Sequence, residues 1–268
     1  MSAGRIEVDV EDRIAQIRLD NPQQLNAITG AMIDELTEAL GRLEVDDRVR
    51  AVVVSGNGRA FCSGYDISGG TELAGAELRR AIRRSDEFIR TVWSFPKPTV
   101  AAVHGYALGG GCELSIACDI TVAARSAMFG EPEIRFGGGS TLLMPWSVPM
   151  KIAKELLLTG KQITAARAYE VGLVNTVADD ADLLATATSA AELLATVAAP
   201  AASYTKQGIN AAYELIGLWP SISHHSALLA QLDGLDMPEK AEFMRIVVAE
   251  GVRAAVRHRA AQFAEVEK

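Results

Sequence analysis

The sequence predicts an α/β protein with a helical C-terminal region, and three observations carry the prediction. Two short runs, Ala51 to Ser55 and Thr99 to Val103, are apolar almost throughout, which suits strands covered on both faces as in a parallel sheet. Stretches with helical character stand between such runs, and parallel strands need long crossovers of this kind. From about Ala181 onward strand signals vanish and Ala and Leu dominate.

Taken in order, Ile6, Val8 and Val10 alternate with charged residues, Glu11-Asp12 intervenes, and a second run from Ile14 to Leu19 completes a β-hairpin. Asn21-Pro22 ends it. Thr29 then caps a helix whose Met32, Leu36, Leu40 and Leu43 form the apolar stripe of a helix packed on a sheet. The strand at 51–55 leads into Gly56-Asn57-Gly58 and the loop Phe61-Cys62-Ser63-Gly64-Tyr65-Asp66, and a charged helix follows from about Glu72 to Val92. Pro96-Lys97-Pro98 stops any helix, and the strand at 99–103 delivers a turn running from Gly105 to Gly109-Gly110-Gly111. A helix from Cys112 to Cys118 and a strand near Ile120 to Ala123 complete the predicted core. Beyond 181, Pro200, Pro220 and Pro238 punctuate a set of helices, read as an appendage rather than an independent domain. No internal repeat is evident in the sequence itself.

With 268 residues and 49% hydrophobic content the chain can bury a substantial core. It contains no apolar run of about 18 residues, and the opening MSAGRIEVDVEDR lacks the apolar stretch of a secretory signal, so a soluble cytoplasmic protein is expected. Cys62, Cys112 and Cys118 have neither even number nor metal-like spacing; they are expected to be buried thiols, with no metal bound. A net charge of −8 with no basic stripe disfavours nucleic acid as a partner.

The glycine turn lacks the patterns GxxxxGK[ST] and GxGxxG, which argues against a nucleotide loop. A strand, a turn of glycines and a helix start do place unpaired N–H groups and a helix dipole at one spot, an arrangement able to stabilise an oxyanion; a tight turn needed only for packing is the plainer alternative. Glu113 lies on the first turn after the glycines among Cys112, Leu114, Ile116 and Ala117, where an idle carboxylate would be costly. Glu133 lies in Gly130-Glu131-Pro132-Glu133 after the next strand.

The stretch from Lys97-Pro98-Thr99 through His104-Gly105-Tyr106-Ala107-Leu108-Gly109-Gly110-Gly111-Cys112-Glu113 to Cys118-Asp119, then Phe129 to Ile134, resembles the enoyl-CoA hydratase/isomerase (crotonase) family. So do Phe61 to Ile67, Asn21-Pro22 with Leu25-Asn26-Ala27, and Leu158-Thr159-Gly160 with Gly172-Leu173-Val174. The resemblance implies a crotonase-like spiral of ββα units over residues 1–195, and over 196–268 a C-terminal α-helical region used in trimerisation and in closing over coenzyme A. It implies a homotrimer or hexamer acting on an acyl-CoA thioester, with no cofactor beyond the CoA that arrives in the substrate. Position by position, it makes Glu113 and Glu133 catalytic and gives the oxyanion hole to the backbone N–H groups of Tyr65 and Gly110. Substrate contacts are implied for Ser63, Tyr65, Asp66, Ile67, Ser68, Gly110 and His258. Both hydratase glutamates are present at the hydratase separation of 20 residues, which favours hydration of an enoyl-CoA to a 3-hydroxyacyl-CoA. The alternatives are isomerisation or another crotonase-type reaction such as hydrolysis or C–C lysis, and a non-catalytic acyl-CoA-binding protein.

The sequence departs from the family at several points. Gln23 and Gln24 stand where a lysine is usual, Ser68 replaces another cation, and Ala255 and His258 replace a Phe and a Lys. Phosphate binding then falls to the cluster Arg257-His258-Arg259. Tyr65 is bulkier than the usual Ala, and the segment from Ile134 to Ser140 lacks the usual proline.

Overall fold

The first two strands, β1 (Arg5–Glu11) and β2 (Ile14–Asp20), pair antiparallel, with Glu11 opposite Ile14. Asp12 and Arg13 both sit at positive φ, 44° and 71°, as the two central residues of a type I′ hairpin turn must. The turn therefore falls one residue later than the sequence suggests, because Glu11 remains in the ladder. In this computed structural model residues 4–67, 74–139, 143–232 and 235–265 are described.

From β2 the main sheet continues in parallel through β3 (Ala51–Gly56), β4 (Thr99–Val103), β6 (Ile120–Ala124) and β9 (Thr176–Ala178), in the order β1-β2-β3-β4-β6-β9. Every residue of β4 and all but the last of β3 are buried, the outcome expected of parallel strands covered on both faces. A smaller sheet has the order β5 (Tyr106–Leu108), β7 (Met128–Gly130), β8 (Ile163–Thr164). The chain passes from the large sheet to the small one within a few residues, from β4 to β5 and from β6 to β7. Two earlier segments make the same step with only single bridges, Cys62 to Ala107 and Ile28 to Tyr65. β2, β3, β4 and β6 are thus each followed by a strand or bridge in a second layer and then a helix, which is the expected spiral of ββα turns.

The helices are α1 (Gly30–Val45), α2 (Gly75–Ser94), α3 (Gly110–Ala117), α4 (Met144–Ser147), α5 (Met150–Thr159), α6 (Ala165–Glu170), α7 (Leu183–Thr196), α8 (Ala199–Leu215), α9 (Leu218–Gln231), α10 (Pro238–Glu250) and α11 (Val252–Ala264). The Thr29 hydroxyl accepts the Met32 N–H at 3.2 Å, the expected cap of α1, and Met32, Leu36, Leu40 and Leu43 enter the core. The expected start of α2 near Glu72 lies outside the described residues. α7 packs on β2, β3, β4 and β6, burying Leu183, Ala187, Ala191 and Ala195. α8 is tied to the sheet by Lys206, whose Nζ donates to Asp119 (2.8 Å) and to the Lys97 carbonyl (3.2 Å), while Asp119 also accepts the Thr99 N–H and hydroxyl. No single helix among the described residues is long and apolar enough to cross a membrane. All three cysteines are buried free thiols.

Candidate active site

Three loops meet at the edge of the small sheet. The first, residues 21–28, is organised by Asn26, which is fully buried. Its Nδ2 donates to the carbonyls of Asn57 (2.8 Å) and Ala60 (2.7 Å), and its Oδ1 accepts the Asn21 N–H (2.8 Å). This one side chain fastens the loop after β2 to the loop after β3. Ser63 adds two links, its N–H to Leu25 O (3.0 Å) and its hydroxyl to Gln24 O (3.1 Å).

The second loop carries Gly64 and Tyr65. Gly64 O accepts from Ile28 N–H (2.8 Å) and Asp66 N–H donates to Ile28 O (3.0 Å), so the Tyr65 N–H between them is left without a backbone partner among the described residues. The third loop joins β5 to α3, where the Gly109 N–H donates to Gly130 O (2.9 Å) and Gly110, at the first helical position, keeps one of the N–H groups a helix start leaves over. The two loops touch: a Cβ on Gly64 would lie 3.5 Å from the Gly110 nitrogen, and one on Gly110 would lie 2.5 Å from the Tyr65 ring. The helix begins two residues before the predicted Cys112. Gly109, with φ +51° and ψ −125°, turns the chain into it.

Gly109 also makes room for a carboxyl group. A Cβ there would stand 1.8 Å from Glu133 Oε1, so only glycine lets Glu133 lie against the start of α3. Glu133 projects from a 3₁₀ segment, Pro132–Phe136, after β7. Its Oε2 is buried with no hydrogen-bond partner among the described residues. Burial, and less strongly the negative charge of Glu113, push its carboxyl up to about 7. Glu113, 1% exposed on the first turn of α3, accepts the Leu143 N–H on Oε2 at 2.8 Å. The two predicted glutamates are therefore brought to the same glycine loop in different settings.

A third carboxyl nearby escaped the sequence reading. Glu131 is 1% exposed, and together with Glu113 and Glu133 it adds to the burial that raises the Cys112 thiol well above its ordinary value. The motif Gly130-Glu131-Pro132-Glu133 shows two acids one residue apart, and nothing in the sequence says that both turn inward.

The other predicted positions divide. Asp66 and Ile67 are exposed at the rim, Ile67 at 50%. Ser68 lies outside the described residues. Tyr65 borders the glycine loop, whereas Ser63 is tied to the 21–28 loop through Leu25 and Gln24. His258, on α11, lies 3.3 Å from Glu242 on α10 and 3.3 Å from Gln262 Nε2. Arg259 donates to the Arg135 carbonyl (2.6 Å), two residues beyond Glu133, and Arg253 donates to the Gln23 carbonyl (3.0 Å). α11 therefore spans the loop around Gln23 and the segment that carries Glu133.

The enoyl-CoA hydratase/isomerase family model matches residues 9–232. A probable enoyl-CoA hydratase of Mycobacterium tuberculosis is 37% identical over 223 residues, covering 80% of this chain and 84% of that protein. The short-chain-enoyl-CoA hydratase of Clostridium acetobutylicum is 34% identical over 215 residues, covering 78% and 82%. The crystal structure of an enoyl-CoA hydratase/isomerase from Xanthobacter autotrophicus Py2 superposes with a TM-score of 0.91 at 35% identity, covering 96% of this chain and 97% of that one. Fold, loop geometry and sequence agree that the chain belongs to the enoyl-CoA hydratase/isomerase family.

Proposed function

We propose that this protein adds water across the 2,3 double bond of an enoyl-CoA thioester to give a 3-hydroxyacyl-CoA. The observation that carries the reading is the pair Glu113 and Glu133 at one glycine loop, beside two backbone N–H groups with no backbone partner among the described residues.

Attack of water on C3 of a conjugated thioester sends negative charge to the thioester oxygen. In the proposed reaction that oxygen sits between the N–H groups of Tyr65 and Gly110, which lose nothing by turning to it and stabilise the enolate as it forms. Glu113, fixed by the Leu143 N–H, takes a proton from the water as its oxygen bonds to C3. Glu133, whose carboxyl is protonated up to about pH 7, gives its proton to C2. A Glu133 carboxyl kept protonated by burial, beside a second carboxyl held by a backbone N–H, makes this division of labour workable. No group beyond the substrate's own coenzyme A takes part in these steps.

The proposed setting is the cytoplasm, and the proposed assembly is a trimer or hexamer. Support for the assembly comes from large apolar side chains left exposed on α7, α8 and the turn after α8: Leu193 (70%), Tyr204 (72%), Ile209 (56%), Leu215 (87%) and Ile216 (72%).

The test is incubation with a panel of enoyl-CoA chain lengths in water enriched in heavy oxygen. Label at C3 of a 3-hydroxyacyl product supports hydration, whereas an unlabelled product with a shifted double bond replaces the reading by isomerisation.

A further inference from the structure

Hydration uses the backbone of Tyr65 and leaves its side chain without a task. The ring lies against Gly110, and the phenol hydroxyl is buried with no hydrogen-bond partner among the described residues. Buried hydroxyls are nearly always paired, and one left unpaired in the free protein is a place for a ligand atom. Ser85, on α2, is the hydroxyl beside it. Ser85 lies close enough to favour the ionised phenol, yet the two do not meet in hydrogen-bonding geometry; Ser85 Oγ donates to the Ala81 carbonyl (3.1 Å), and its lone pairs stay open to a donor. The next residue, Asp86, accepts a hydrogen bond from Ser226 of α9 at 2.6 Å. Burial raises the Tyr65 hydroxyl's proton affinity; the Ser85 hydroxyl opposes this and the charges of Glu113 and Asp86 reinforce it, and burial wins, so the phenol stays a neutral donor.

Given the reading above, a thioester oxygen held by the Tyr65 and Gly110 N–H groups puts the acyl chain alongside the Tyr65 ring. A plain hydrocarbon tail would then seal the phenol hydroxyl in without a partner. We propose that the Tyr65 hydroxyl and Ser85 Oγ form a specificity subsite for an uncharged oxygen, above all a hydroxyl, on the acyl tail. Such a hydroxyl accepts from Tyr65 and donates to Ser85, satisfying both. A carboxylate tail is opposed by Glu113 and Asp86.

The measurement is titration calorimetry with saturated straight-chain acyl-CoA thioesters, which bind without being hydrated. They are offered in matched pairs of several lengths with and without a terminal hydroxyl, plus a terminal carboxylate series. At the length that reaches Tyr65, the hydroxylated thioester should bind at least about tenfold more tightly than its plain partner, and the carboxylate more weakly than either. Tyr65→Phe keeps the ring and the backbone N–H and should abolish the preference. Ser85→Ala should reduce it, and serves as the second variant should the Phe protein fold poorly. Equal affinity within every pair overturns the subsite, as does a preference that survives Tyr65→Phe. A heavy-oxygen assay with plain enoyl-CoA judges hydration separately, since absence of label alongside an intact hydroxyl preference sinks hydration alone.

Discussion

Glu133 reaches its setting because Gly109 has no side chain, and that setting fixes when it can act. With its carboxyl held up to about 7 by burial and by Glu113, it is a proton donor at neutral pH and below. Turnover should fall as pH rises above about 7. Glu133→Gln should lower kcat by roughly 10²–10⁴-fold, the usual worth of a positioned acid or base, and remove that alkaline limb; a kcat profile from pH 5 to 9 checks both. Glu113→Gln should cost as much, and the two losses should not add, because the carboxyls serve one water molecule. The same raised affinity for a proton has a stability counterpart. Folded Glu133 holds its proton to about pH 7 whereas the unfolded group, near 4.5, releases it earlier, so its contribution is full below about 4.5 and is lost as pH rises through about 7. Glu133→Gln, neutral throughout, should match the parent in urea melts near pH 4.5 and exceed it at pH 8 by on the order of 2–3 kcal/mol. Glu113 was legible because an acid beside glycines in an apolar run stands out, and Glu133 through the resemblance of its motif to the family's. Glu131 was not, since burial of an acid depends on which way a short 3₁₀ segment faces.

At the scale of elements, the strands of the large sheet could be read directly, because runs such as Val52-Val53-Val54 have no polar face to hide. The second layer could not. β5 and β7 have three residues each, β8 has two, and the first turns of the spiral make only single bridges there, too few to show any period. That is also why the repeated plan of strand, second layer and helix is invisible in the sequence. The loops of this layer carry the site, and Asn26 holds two of them together, donating to Asn57 and Ala60 across the gap and accepting from Asn21 in its own loop. Asn26→Ala would leave the Asn57 and Ala60 carbonyls and the Asn21 N–H short of their partner. The expected loss is about 2–4 kcal/mol of stability in chemical denaturation, with a fall in kcat/KM at temperatures where the fold is intact. Asn26→Asp should not rescue it, because a carboxylate can accept from Asn21 but has nothing to donate to the two carbonyls.

At the scale of the molecule, the helices after α7 do two things that residue patterns alone do not reveal. Exposed apolar side chains on α7 and α8 fit the proposed assembly, and Tyr204→Glu combined with Ile209→Glu should shift sedimentation from trimer or hexamer toward monomer. α11, in turn, reaches back over the site. The cations expected to meet the CoA phosphates were Arg257, His258 and Arg259, read from a matching stretch of helix with no knowledge of what faced it. Two of them already have protein contacts: His258 lies beside Glu242, and Arg259 holds the Arg135 carbonyl. Arg253, one to two turns earlier, instead reaches Gln23, one of the two positions at which the resemblance implies a lysine, and uses one nitrogen on its backbone carbonyl. Its guanidinium has further donors to offer a phosphate. In calorimetry at low salt, Arg253→Ala should weaken CoA by roughly 3–10-fold and leave a pantetheine thioester without phosphates unaffected. The effect should fade at high salt. His258→Ala should change affinity less than Arg253→Ala. A larger loss for His258→Ala than for Arg253→Ala would return the phosphates to the Arg257-His258-Arg259 cluster.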